Sequence, residues 1–175
     1  MSVLKRAWIG LMSSVALLAG CGLNPPMTVP AVDLQRYAGL WYEIAKYPVF
    51  FEQGCFGVTA EYTIRDDGRV TVLNTCREGS LDGRVRTIEG YAVSTNPPEN
   101  SRLNVYFFGF PGPYWIIGLD EDYQWAVVSD PTRSTLWILS RTPQLSQETY
   151  DGILALIEAQ GYDTGKLVPM PQPTD

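Results

Sequence analysis

The chain contains no histidine, and only three of its 175 residues are cysteine. The missing imidazole excludes Ser-His-Asp and Cys-His nucleophiles, histidine-bearing zinc sites, histidine-ligated haem and the usual proton shuttle near neutral pH. Aspartic dyads, paired-carboxylate hydrolysis, Ser-Lys chemistry and phosphate loops survive that cut, so binding gains ground over catalysis. Positive charge is scarce as well: 13 Lys and Arg against 19 Asp and Glu give a formal charge of −6. Such a chain, without a basic patch, is a poor match for nucleic acid, where phosphate neutralisation supplies much of the affinity. Electrostatics alone would not hold it on an anionic membrane either. What is present is ordinary: 45% hydrophobic and 18% charged residues, with 16 Gly and 13 Pro. That mixture is too apolar for disorder and too varied for a coiled coil or collagen, and its length suits one domain.

The N-terminus supplies a different route to a membrane. Lys5 and Arg6 precede an apolar run from Ala7 to Leu18, too short to span a bilayer and placed where a secretory signal lies. Leu18-Ala19-Gly20-Cys21 resembles the lipobox of bacterial lipoproteins. The resemblance implies cleavage before Cys21, a diacylglyceryl group on its sulfur and acylation of the new amino terminus; the alternative is an ordinary signal in which Cys21 is incidental. Several acyl chains anchor stably where one is marginal. Cleavage would leave 155 residues and, with Lys5 and Arg6 gone, a charge of −8. Gly22 stands where an aspartate would imply inner-membrane retention, which points to the outer membrane, facing the periplasm, in a cell that has one. Residues 21–33 then read as a lipidated, proline-rich tether.

From Leu40 onward, period-two segments recur between turn signals. Val58, Ala60, Tyr62 and Ile64 alternate with polar residues, Asp66-Asp67-Gly68 marks a hairpin, and Val70 and Val72 return. Asn96–Asn100 and Gly109–Pro113 read as breaks. The count reaches about eight strands, as in a sandwich or an up-and-down barrel. One helix follows, with Ser146 as N-cap, a stripe of Tyr150, Ile153, Leu154 and Ile157, and Gly161 at its end. A single stripe places the helix on the outside of the sheet.

Three ordered motifs carry a family resemblance. Gly39-Leu40-Trp41 resembles the Gly-x-Trp signature of lipocalins. Leu119-Asp120-Glu121-Asp122-Tyr123 resembles their second motif, with Glu121 in place of the commoner threonine, and Leu136–Pro143 resembles the third through Arg141. The chain is similar in particular to the bacterial, lipoprotein-anchored lipocalins, which are like apolipoprotein D. The resemblance covers Leu34 to Val168 and implies an all-β fold: an eight-stranded antiparallel up-and-down barrel with one C-terminal α-helix packed outside. Residues 1–20 would be signal, 34–168 barrel and helix, and 169–175 a tail. Trp41 is expected to plug the closed end, with Arg141 stacked on it and donating to nearby carbonyls.

In an oxidising compartment Cys55 and Cys76 can pair. A two-residue turn at Asp67-Gly68 leaves them about four residues out of register, so the chain before Gly57 is expected to be loop that bends back. Two separate buried thiols are the alternative.

Strand parity proposes an inner face. Tyr62, Ala92, Leu103, Val105, Phe107, Tyr114, Ile116, Trp125, Val127, Trp137 and Leu139 are the candidate ligand-binding residues, with Val58, Ala60, Val70 and Val72 beside them. Core packing is the plainer role for each. Together they make an apolar cup that suits an acyl chain with its head at the mouth. The family resemblance implies binding or transport of fatty acids or lysophospholipids at the envelope, especially under stress, and some members dimerise on lipid. No cofactor, metal or catalytic group is expected: Asp66-Asp67 and Asp120-Glu121-Asp122 sit in turns, where Asp bonds locally. A filled, ligand-free barrel serving as an envelope interaction lipoprotein is the competing reading.

Overall fold

The structure, a computed structural model, describes residues 24–173. The signal segment and Cys21 lie outside the described residues. A short helix, α1 (Leu34–Tyr37), leads into strands β1 (Gly39–Lys46), β2 (Cys55–Ile64), β3 (Val70–Glu78), β4 (Val85–Ser94) and β5 (Arg102–Phe107). Then come β6 (Phe110–Leu119), β7 (Trp125–Ser129), β8 (Leu136–Ser140), the helix α2 (Gln147–Ala159) and a last short strand, β9 (Val168–Pro169). Each strand from β2 to β8 pairs antiparallel with its neighbour in sequence. β1 closes the barrel: it pairs with β2 from Gly39↔Tyr62 to Tyr42↔Thr59 and with β8 from Tyr42↔Ser140 to Lys46↔Trp137. Closure removes the unpaired edges an open sheet would expose.

Strand direction alternates, so the connections after β1, β3, β5 and β7 share one end, the mouth. The connections after β2, β4 and β6, together with α1, form the closed end. Two apolar layers result. Trp41, Tyr62, Val72, Ala92, Leu103, Ile116 and Leu139 belong to the inner core. Ile117, Val127, Leu136 and Ile138 pack outward against Ile153 and Ile157 of α2. Ser146 caps that helix by accepting from the Thr149 amide at 3.1 Å, and Gly161 leaves it at φ 85.

Four sequence expectations need correction. Gly109–Pro113 is strand, not a break: only Phe108 and Gly109 form the turn, and Phe110–Pro113 pair with Phe107–Asn104. In that hairpin the hydrogen-bonded pairs are Phe107↔Phe110 and Val105↔Gly112. Both proline nitrogens therefore point away from β5, on a side β7 reaches only at Trp115↔Ser129. The segment 24–33 is docked for most of its length. Pro26 and Val32 are buried, and the Val29 and Val32 amides donate to Ile116 and Glu99 carbonyls at 2.9 and 2.7 Å. The tail is paired rather than free: β9 lies against Ala45 and Lys46, and Gln172 donates to the Glu43 and Val58 carbonyls.

The fourth concerns the cysteines. Cys55 and Cys76 form a disulfide with Cα atoms 5.4 Å apart, but Cys55 lies in β2 rather than in a loop. A bulge between Phe56 and Thr59 inserts one extra residue, with Gly57 at φ 56, and narrows the offset without removing it: Cys55 pairs with Glu78, two residues beyond Cys76.

Candidate functional site

The site is the barrel interior, and its floor is built by α1. Asp33 caps α1 by accepting from the Gln35 and Arg36 amides at 2.9 and 3.3 Å. The Asp33 amide itself donates to the Tyr123 hydroxyl at 2.9 Å, and the Arg36 guanidinium lies 4.1 Å above the Tyr123 ring. Asp122 holds the same turn, its carbonyl accepting from the Gln124 side chain. Trp41 is fully buried and donates its indole N–H to the Tyr37 carbonyl at 2.8 Å. Arg141 stacks 3.9 Å above that indole and donates to the carbonyls of Arg36, Tyr37, Leu40 and Tyr123. Gly39, at φ 95, adopts a backbone few side chains tolerate, and a Cβ there would lie 3.4 Å from Arg141. The signature residues thus lock the closed end and stand behind the cavity wall.

Above the floor, Tyr62, Ala92, Leu103, Val105, Ile116 and Leu139 are buried in the inner core. Phe107, Tyr114 and Trp137 pack on that core while remaining half-buried, as does Ala60. Since they face inward, they leave part of the inner wall uncovered. Phe107 fits because position 90 is glycine: a Cβ on Gly90 would meet its ring at 2.7 Å.

Trp125 and Val127 are on the other face. β7 pairs Ala126 with Leu139 and Val128 with Trp137, so Ala126 and Val128 look inward. Trp125 and Val127 pack toward α2, above the space left by Gly118. All four residues are apolar, so period-two alternation could not choose between the faces. Val58 also leaves the inner core and sits with the disulfide and Met170.

Two polar clusters lie inside the barrel; of their members, Tyr62 and Tyr114 were expected, and Tyr37, Glu43 and Lys46 were missed. Tyr114 shares its hydroxyl with those of Tyr37 and Tyr62 at 2.8 and 2.9 Å. Burial holds Tyr37 and Tyr114 well above the usual phenol range and pushes Tyr62 up to about 12, so all three are neutral. Tyr37 escaped notice because it lies on α1, outside any strand pattern. Near the mouth, Glu43 faces inward opposite Leu139, and a bulge in β1 after it turns Lys46 inward too, opposite Trp137. Lys46 Nζ lies 3.1 Å from Glu43 and pairs with Glu52 of the connection to β2. Burial, and then the charge of Glu52, push Glu43 up to about 8 against the pull of Lys46. The parity that turns Trp41 inward also turns Glu43 inward, and that signal was available in the sequence.

The enclosed space at the base, lined by Leu34, Tyr37, Tyr62, Val70, Leu103, Tyr114 and their neighbours, is about 20 Å³, room for one water. The larger opportunity is the partly uncovered belt that continues from Tyr114 to Phe107 and Trp137.

Comparison with known proteins agrees with this geometry. A family described as "Lipocalin-like domain" matches residues 32–172. The chain is 39% identical to an outer membrane lipoprotein, Blc, of Citrobacter freundii over 170 residues, covering 94% of this chain and 96% of that protein. It is 38% identical to apolipoprotein D of Cavia porcellus over 154 residues, covering 82% and 78% respectively. Among solved structures, insecticyanin of Manduca sexta superposes with a TM-score of 0.68 at 20% identity, covering 86% of this chain and 85% of that one. Fold, motifs and sequence agree: the chain belongs to the lipocalin family.

Proposed function

We propose that this protein is a lipid carrier anchored in the outer membrane by acylated Cys21, facing the periplasm. It takes fatty acids or lysophospholipids into its barrel for envelope maintenance under stress. It is a carrier and not an enzyme. The observation that supports this reading is the belt of Phe107, Tyr114 and Trp137, inner-wall side chains left partly uncovered. Such surface gains by covering an acyl chain, at ~25 cal/mol per Å² removed from water. Lys46 stands just above the belt, where an anionic carboxylate or phosphate head can replace Glu52 as its partner. The Blc relative, an outer membrane lipoprotein, supports the anchoring.

The test is titration of delipidated mature protein with palmitate and with lysophosphatidylethanolamine. Tryptophan emission and displacement of a bound fluorescent fatty acid are the readouts. Saturable change that weakens in Lys46→Met and Trp137→Ala is expected. A second reading, a barrel filled with side chains that serves as an envelope interaction lipoprotein, draws on the 20 Å³ base cavity. Absence of any saturable change or displacement would establish it over the carrier.

A further inference from the structure

Every strongly exposed phenylalanine lies at one end of the barrel. Phe50 and Phe51, 83% and 52% exposed, sit edge to face on the connection between β1 and β2. Phe108 and Phe110, 86% and 78% exposed, form the tip of the hairpin between β5 and β6. Both connections belong to the mouth. The closed end instead presents Arg65, Asp66, Asp67, Arg69 and Asn96 in its turns. Phe108 is also placed against local preference: it holds φ 51 beside Gly109 at φ 81, in a two-residue turn that favours Asn or Gly. An aromatic ring kept in a left-handed backbone conformation and almost wholly in water is costly unless something covers it.

The N-terminal segment reaches the same end. The Asn24 carbonyl accepts from Arg133 in the connection between β7 and β8, which is part of the mouth. Only Gly22 and Leu23 separate Asn24 from Cys21, so the two Cα atoms are at most about 11 Å apart in any conformation of the chain. An acyl anchor on Cys21 therefore holds the mouth, and not the closed end, at the membrane surface.

We infer that the barrel sits mouth-down on the bilayer, with Phe50, Phe51, Phe108 and Phe110 inserted among the lipid head groups. This rests on the proposed acylation of Cys21. Lipid then passes between bilayer and barrel without crossing open water. Apolar insertion supplies the contact, in keeping with a net-acidic chain. The partner is a lipid surface rather than a second copy of the chain, because the tether ends at this rim.

The test uses mature protein bound to vesicles of phosphatidylethanolamine and phosphatidylglycerol, with and without bromine on the upper acyl carbons. Phe108→Trp places a reporter on the rim and Leu40→Trp places one at the closed end; the emission of the protein without either substitution is subtracted. Brominated lipid should remove most of the Phe108→Trp signal and none of the Leu40→Trp signal. Equal quenching at both ends, no quenching, or cross-linking of rim to rim between two copies overturns the inference. Mass measurement of the amino-terminal peptide reports acylation separately. An acylated protein whose rim is not quenched keeps its anchor and loses the mouth-down docking. A non-acylated protein whose rim is quenched loses the anchor and keeps the docking.

Discussion

Arg141→Ala separates the architecture of the closed end from ligand recognition. The guanidinium donates at 2.7 Å to Arg36, 2.9 Å to Leu40 and 3.2 Å to both Tyr37 and Tyr123 carbonyls, and lies 3.9 Å above Trp41. A charged hydrogen bond contributes ~1.5–3 kcal/mol and a cation–π contact ~1 kcal/mol. Because water can reach part of this cluster, the loss is set at one such bond plus the stack, about 3 kcal/mol. At ~2–4 °C per kcal/mol for a domain of this size, Tm should fall by ~6–12 °C. Arg141→Lys should recover less than half of that, because an ammonium cannot fork between carbonyls. Fully buried Trp41 separates Arg141 from the cavity, so fatty-acid displacement should give a Kd within about threefold of the parent, under ~0.7 kcal/mol. Thermal unfolding by circular dichroism and the displacement titration together decide. An unchanged Tm with a Kd weakened more than about tenfold, ~1.4 kcal/mol, would refute the structural role.

Three further outcomes follow from particular residues. Glu43 is neutral in the folded protein up to about 8 but ionises in the ordinary carboxylate range when unfolded. Its contribution is therefore complete at acid pH and lost as pH rises toward 8; Glu43→Gln should flatten that decline in urea unfolding, and an unchanged pH slope counts against the burial argument. A Cβ at position 90 would lie 2.2 Å from the Tyr106 carbonyl oxygen. Gly90→Ala should thus cost more than ~2 kcal/mol in chemical denaturation, and a variant as stable as the parent would show that β4 and β5 do not approach so closely. The Cys55–Cys76 bridge joins residues 21 apart; its reduction should remove about 3 kcal/mol by loop entropy, with two free thiols appearing only after reductant is added to the denatured mature protein.

The sequence was most legible where one face of a strand meets water. In β2 and β3, polar residues alternate with Ala60, Tyr62, Val70 and Val72, and the inner face could be read directly. It failed in β7, where α2 covers the outside and Trp125, Ala126, Val127 and Val128 are all apolar. Bulges were a second source of error, since one inserted residue exchanges the faces. The bulge in β1 turns Lys46 inward, and that in β2 shifts the register at which Cys55 and Phe56 pair with β3. Composition also misread the N-terminal segment. Its prolines suggested a spacer, but Val29 and Val32 lie where their amides meet the Ile116 and Glu99 carbonyls, and no local pattern encodes that partnership.

Three tyrosines inside the barrel invite the view that their hydroxyls recognise a ligand. Their geometry argues otherwise. The Tyr114 oxygen is bonded to both Tyr37 and Tyr62, so the hydroxyls turn to one another and offer the cavity mainly their rings. That arrangement lets large side chains fill the base without a polar wall that would repel a methyl terminus. Tyr114→Phe should therefore strand two buried hydroxyls, and Tyr37→Phe only part of one network. The first should cost about 2 kcal/mol or more in stability and the second about half as much, while both leave palmitate affinity near its parent value. Were Tyr114→Phe to abolish palmitate binding at unchanged stability, the hydroxyl would be a ligand contact and the acyl chain would have to enter head first.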